Sequence, residues 1–183
     1  EEGPAEYGEG TTLTETARQI GEEFGVKTVR ALGDLTKMDQ VENVVESVAK
    51  ELGPIDILVH NAGGDIAAKG GKPNPNDAVM IKEEDIQSVL DRNLISTIYV
   101  CQQAARRMME RKSGRIITIS SIAAFRGNAN SAIYSTAKAA VVEYTRCLAK
   151  QLRPFDIAVN SLAPGDTRTG RFLGTREVDQ GRM

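Results

Sequence analysis

Ile55-Asp56-Ile57-Leu58-Val59-His60-Asn61-Ala62-Gly63 is the stretch on which the reading of this chain turns. Ile55 to Val59 is a short run of branched residues between two turn signals, Gly53-Pro54 before it and Asn-Ala-Gly after it. It lacks the strict apolar/polar alternation of a half-exposed strand, so it is expected to be covered on both faces, as strands of parallel sheets are.

Upstream, Val41, Val44, Val45, Val48 and Leu52 recur at helical intervals, begun near Thr36 and Asp39 and ended by Gly53-Pro54. Before them Val26 to Leu32 alternates well enough for a strand. Leu13, Ala17, Ile20 and Phe24 form a helical stripe that opens on the capping-box pair Thr12 and Glu15 and stops at Gly25. Residues 1–10 read as a mobile lead-in.

Downstream, a Gly/Pro/Asn loop around Gly70-Gly71-Lys72-Pro73-Asn74-Pro75 gives way to a long helix from Lys82 to about Lys112. Ile86, Val89, Leu90, Leu94, Ile98 and Cys101 are its inward residues, and Gly114 stops it. Arg115–Ser120 is a strand and Tyr134 to about Leu152 a helix with Ala137, Val141, Tyr144, Leu148 and Leu152 as its stripe. Ile157–Leu162 is a last strand before Pro164-Gly165. Alternating helices and buried strands imply an α/β fold, a Rossmann-like doubly wound parallel sheet with helices on both faces. The 183 residues are expected to form one domain, with no internal repeat and no linker.

With 23 basic and 25 acidic residues, net charge −2, there is no electrostatic case for nucleic acid or an anionic membrane as partner. No apolar run approaches the roughly 18 residues of a membrane span. Cys101 and Cys147 stand far from each other and from the one histidine, His60, so neither a disulfide framework nor a metal site is expected. The acidic N-terminal stretch is unlike a secretory signal, and a reducing cytoplasm is the compartment expected.

The chemistry sits in Tyr134-Ser135-Thr136-Ala137-Lys138, with Ser121 thirteen residues ahead of the tyrosine. Residues four apart on a helix share a face, so a cation stands beside a phenol and favours its ionised form. Such a tyrosine can exchange protons with an alcohol or carbonyl near neutral pH. Asn93 lies on the apolar stripe of its helix, where a buried amide must find partners or cost about 1–3 kcal/mol. Asn61-Ala62-Gly63 offers small residues and accessible backbone beyond a strand. In open parallel sheets ligands bind beyond the carboxyl ends of the strands, where all these residues fall. Each also has a plainer reading: a packed tyrosine, a solvated lysine, a locally bonded asparagine, and a turn former for Asp34 before Thr36.

Taken together, Asp34-Leu35, His60-Asn61-Ala62-Gly63, Asn93, Ser121, Tyr134 with Lys138, and Pro164-Gly165 with Thr169 resemble the short-chain dehydrogenase/reductase family in order and rough spacing over most of the chain. The resemblance implies an NAD or NADP cofactor and a small-molecule carbonyl or alcohol substrate. It makes Tyr134 the general acid/base and has Lys138 tune the phenol and bind the nicotinamide ribose. Ser121 would polarise the substrate oxygen, and Asn93 would hold a water that links Lys138 to solvent. Asp34 and Leu35 would meet the adenine, Asn61, Ala62 and Gly63 the adenosine half, and Pro164, Gly165, Thr167 and Thr169 the nicotinamide half. Residues 122–130 would line the substrate pocket, Arg126 and Asn128 among them. His60 replaces the first of two asparagines common in this motif and reads as a structural substitution.

The family's Gly-rich phosphate turn has no counterpart here, because Gly3, Gly8 and Gly10 have the wrong spacing and no preceding strand. The expectation is therefore a fold incomplete at both ends, part of a longer enzyme, with residues 166–183 starting a substrate lid and weak dinucleotide binding by this stretch alone. Val142, Met108 and Met109 are expected to be exposed on the long helices, whose family counterparts often build homodimers or homotetramers. The activity expected is hydride transfer between NAD(P)(H) and a carbonyl or secondary alcohol. The alternative is a non-catalytic dinucleotide- or ligand-binding regulatory protein on the same scaffold. A hydrolase is set aside for want of G-x-S-x-G.

Overall fold

The computed structural model describes residues 12–167. The lead-in expected over residues 1–10, the lid segment from residue 168 onward and Thr169 lie outside them. Helix α1 (Leu13–Phe24) starts where the capping pair puts it: Thr12 Oγ1 accepts the Glu15 amide at 3.1 Å, and Gly25 closes the other end in the left-handed conformation. Thr28 Oγ1 then donates to the Ala17 carbonyl at 2.9 Å and folds the chain back on the helix. The strand expected over Val26–Leu32 does not form. Alternation makes a segment extended, but a strand exists only through a ladder partner, and no described strand pairs with this one.

Leu32–Gly165 forms a compact unit distinct from the one that holds α1. Its elements in chain order are α2 (Met38–Leu52), β1 (Ile57–His60), α3 (Glu83–Leu90), a π-helical turn (Asp91–Ile95) and α4 (Ser96–Arg111). They continue with β2 (Gly114–Ile119), a 3₁₀ turn (Ile122–Phe125), α5 (Ala132–Leu152), a 3₁₀ turn (Arg153–Phe155) and β3 (Ile157–Leu162). The three strands form a parallel sheet in the order β1-β2-β3. Register aligns Leu58 with Ile116 and Ile116 with Val159, which places these side chains on one face.

That face is the core. Cys101, Ala104, Ala105 and Met108 of α4 and Leu148 and Leu152 of α5 close over Ile116, Ile157 and Val159, while Val41 and Val45 of α2 pack beside Val100. The opposite face of β1 is open, with Ile57 63% and Val59 55% exposed, against the expectation that this strand is covered twice. Branched composition reports that a strand is apolar on both sides; whether a layer lies over each side depends on elements elsewhere. At the amino ends of the strands Arg111 bonds Asp56 Oδ1 at 2.9 Å and the Ile55 carbonyl at 2.7 Å, so one end of the sheet is tied shut.

The long helix expected over 82–112 contains a wider turn. The Ser96 amide reaches back to the Asp91 carbonyl, a five-residue step. Side chains claim neighbouring carbonyls: Asn93 Nδ2 bonds Val89 O at 2.8 Å, Ser96 Oγ bonds Arg92 O at 2.7 Å and Thr97 Oγ1 bonds Asn93 O at 2.6 Å. The wide turn rotates the following helix, so its buried row runs Asn93, Ser96, Thr97, Val100, Cys101, Ala104, while Leu94 and Ile98 are only half-buried. Met108 is wholly buried rather than exposed, and Val142 and Met109 are half-buried. Met108 turns inward because β2 begins beneath it at a residue with no side chain. Among the described residues no helix is long and apolar enough to cross a membrane.

A Cβ at Gly114 would overlap Met108 Sδ and lie 2.6 Å from its Cγ. Gly114→Ala is therefore expected to destabilise the unit by about 1–3 kcal/mol through overpacking, measured as a fall in the urea midpoint. An unchanged midpoint would mean that α4 does not press on β2 as described.

Candidate active site

All three strands release their chains at the same end of the sheet, and hydrogen bonds hold the exits together. The Ser120 amide donates to Leu162 O at 2.7 Å and the Ile122 amide to Pro164 O at 3.0 Å, which brings Pro164-Gly165 beside Ser121. Ser121 Oγ accepts the Ala123 amide at 3.2 Å and caps the 3₁₀ turn that packs on α5, the helix of Tyr134 and Lys138. Ser120 points the other way, buried, with Oγ on the Lys138 carbonyl at 2.8 Å.

Lys138 is not the solvated lysine its charge alone would suggest: it is 4% exposed. Its ammonium donates to Ile119 O at 2.8 Å and stands 5.7 Å from the centre of the Tyr134 ring. Burial lowers its pKa to about 8, because the charged form loses hydration.

Asn93 is fully buried and grips the turn after β1 from both sides. Its Oδ1 accepts the Gly64 amide at 2.8 Å, and its Nδ2 donates to Gly64 O at 2.8 Å as well as to Val89 O. Both the local reading and a longer-range one hold for this amide. Gly63 stands between it and the lysine at φ 151, where a Cβ would come within 2.7 Å of Asn93 Oδ1 and 3.1 Å of Lys138 Nζ. Only a residue without a side chain fits there. Gly63, Asn93, Tyr134 and Lys138 are thus one cluster, with Ser121 and Pro164-Gly165 on the exit of the neighbouring strands.

The remaining expected residues are more peripheral. Asp34 Oδ1 accepts the Thr36 amide at 2.9 Å and the Thr36 hydroxyl at 2.7 Å, as a turn former does; these bonds lower its pKa and leave Oδ2 open. Leu35 packs on the α2 cluster. Asn61 and Ala62 are exposed, Thr167 belongs with the unit of α1, and Arg126 and Asn128 are exposed, the latter bonding the Asn130 amide at 3.0 Å. A dinucleotide fits this set in kind: bare backbone at Asn61-Ala62-Gly63, an open carboxylate oxygen at Asp34, and the Lys138 cation beside the Tyr134 phenol. Among the described residues no cluster suits a metal ion. Sequence reasoning missed Gly64, the Ile119 carbonyl and the depth of His60. The Gly63-Gly64 pair was the available signal for the first, and a backbone carbonyl leaves none.

Asn93→Ala removes three hydrogen bonds at once and leaves Gly64 unpaired. Amide exchange at Gly64 is expected to accelerate by about tenfold or more, with about 1–3 kcal/mol of stability lost. Unchanged protection at Gly64 would contradict the clamp.

The family profile described as short chain dehydrogenase matches residues 8–178. A cyclohexanol dehydrogenase of Rhodococcus sp. (strain TK6) is 38% identical over 168 residues, 89% of this chain and 58% of that protein. An NAD+-bound xylitol dehydrogenase structure aligns with a TM-score of 0.79 at 28% identity, over 87% of this chain and 59% of that one. A gluconate 5-dehydrogenase from Burkholderia cenocepacia J2315, solved with NADP and tartrate, aligns with a TM-score of 0.74 at 31% identity, over 84% of this chain and 57% of that one. The chain thus spans less than two thirds of each. It belongs to the short chain dehydrogenase family.

Proposed function

We propose that this protein is an NAD(P)-dependent oxidoreductase that moves a hydride between the nicotinamide and the carbon of a carbonyl or secondary alcohol. The observation that carries the reading is the buried ammonium of Lys138, bonded to Ile119 O and 5.7 Å from the Tyr134 ring. A cation is retained at such a depth only where its charge is used or matched. Relatives named for cyclohexanol, xylitol and gluconate support an alcohol or carbonyl substrate, and those solved with NAD+ and with NADP support either dinucleotide.

The nicotinamide dinucleotide, when bound, supplies the hydride donor or acceptor. In reduction, Tyr134 gives its phenolic proton to the carbonyl oxygen as that oxygen becomes an alkoxide; in oxidation, the phenolate takes the hydroxyl proton. Lys138 favours the phenolate and offers donors to the ribose. Ser121 donates a hydrogen bond to the substrate oxygen, where negative charge develops. Asn93 holds Gly63-Gly64 in place beside the ammonium. Asp34, Leu35, Asn61, Ala62, Gly63, Pro164 and Gly165 hold the rest of the dinucleotide.

Tyr134→Phe is expected to lower kcat by about 10²–10⁴-fold with the circular dichroism spectrum unchanged. Turnover within threefold of the parent would overturn the assignment. The ammonium is the majority form below about pH 8 and is lost above it. kcat/KM for carbonyl reduction, which needs both the phenolic proton and the ammonium, should therefore fall as pH rises past about 8; a profile flat to pH 10 would contradict the role given to Lys138.

A further inference from the structure

Two serines stand side by side where β2 ends and point opposite ways, as successive residues of an extended chain do. Ser121 is half-buried, in extended backbone at φ −162 and ψ 155, and caps the 3₁₀ turn. Ser120 is 3% exposed, and its hydroxyl donates to the Lys138 carbonyl of α5 at 2.8 Å. The Lys138 ammonium returns a bond to Ile119 O, also at 2.8 Å. Both ends of one lysine, its own carbonyl and its Nζ, are thus pinned to adjacent residues at the exit of β2.

The helix itself has no need of the Ser120 bond. Lys138 lies inside α5, where its carbonyl already accepts the amide four residues on. Nor does the attachment of α5 rest on Ser120 alone. Thr118, two residues back on the same side of β2, meets Thr145, two turns further along α5, at 2.8 Å. That lower pair ties the body of the helix to the strand, and Ser120 adds a second tie at the end that carries Tyr134 and Lys138. The strand side of this tie is stiff. The Ser120 amide donates to Leu162 O at 2.7 Å and the Ile122 amide to Pro164 O at 3.0 Å, so the chain leaving β3 braces the backbone on both sides of Ser121.

We infer that Ser120 is a positioning residue for the proton-transfer pair: it fixes the first turns of α5 against the exit of β2, and so sets where Lys138 and Tyr134 stand relative to Ser121. Without that hydroxyl α5 keeps its lower tie at Thr145, and its first turns are free to shift. The ammonium then loses its fixed approach to Ile119 O and its place 5.7 Å from the centre of the Tyr134 ring. A shift of about 1 Å at reacting groups is enough to slow chemistry about 100-fold.

The consequence for catalysis rests on the proposed oxidoreductase, but the tie itself is tested without turnover. Reductive methylation of Lys138, followed by peptide mass mapping, is expected to run about tenfold faster in Ser120→Ala than in the parent. Thiol labelling of Cys101, 0% exposed in the core, should stay as slow as in the parent. Ser120→Thr, which keeps the donor, is expected to restore the protection of Lys138. An unchanged rate at Lys138 overturns the inference. So does a parallel rise at Lys138 and Cys101, which reports general destabilisation, or a Ser120→Thr protein as reactive as Ser120→Ala. In the active protein, Ser120→Ala is expected to lower kcat about tenfold while both KM values stay within about twofold of the parent. A kcat at the parent level overturns the positioning role. Turnover that survives Tyr134→Phe would remove the oxidoreductase reading instead, and the labelling rates would still decide the tie.

Discussion

The grip of one amide on one turn organises this site. Asn93 holds Gly64 by both its amide and its carbonyl, and Gly63 is thereby fixed against the ammonium of Lys138 with no room for a side chain. The exit of β1, the middle of the long helix and the first turns of α5 are joined at that point. Loosening it would change the position of the lysine, and through the lysine the environment of Tyr134.

The amide reaches the turn because the helix that carries it is not a regular α-helix. The π-helical turn at Asp91–Ile95 frees carbonyls that Asn93, Ser96 and Thr97 then occupy, and it rotates α4 so that a polar row faces the sheet. Below the site, Asn93, Ser96, Thr97, Thr118, Ser120, Lys138, Thr145 and His60 are all buried. Burying so many polar groups is costly unless each is bonded, and most of them satisfy one another within the fold. The sheet's amino end is closed by Arg111, and the Gly63, Asn93 and Lys138 cluster gathers at its carboxyl end, where ligands bind in parallel sheets generally.

Much of the frame was legible in the sequence because its signals are local. The cap at Thr12, the apolar rows of α2 and α5 and the branched runs of the three strands depend on residues within a few positions of one another. Val26–Leu32 was misread because alternation describes the segment and says nothing of a partner. Met108 was misplaced because its burial depends on a glycine across a turn. Asp34 is bonded as a turn former, a reading its neighbour Thr36 already offered.

The sequence by itself determined the alternation of elements, the family resemblance and the identity of the groups that could handle a proton, since residue type and spacing suffice for these. Tyr134 and Lys138 had to share a helical face whatever surrounded them. The tertiary structure decided that the lysine is buried, that Asn93 clamps Gly64, and that His60 is enclosed. Those outcomes rest on which residues from distant parts of the chain come within hydrogen-bonding reach. Desolvation and partner geometry, which set the state of each charge, exist only once the strands have taken their register.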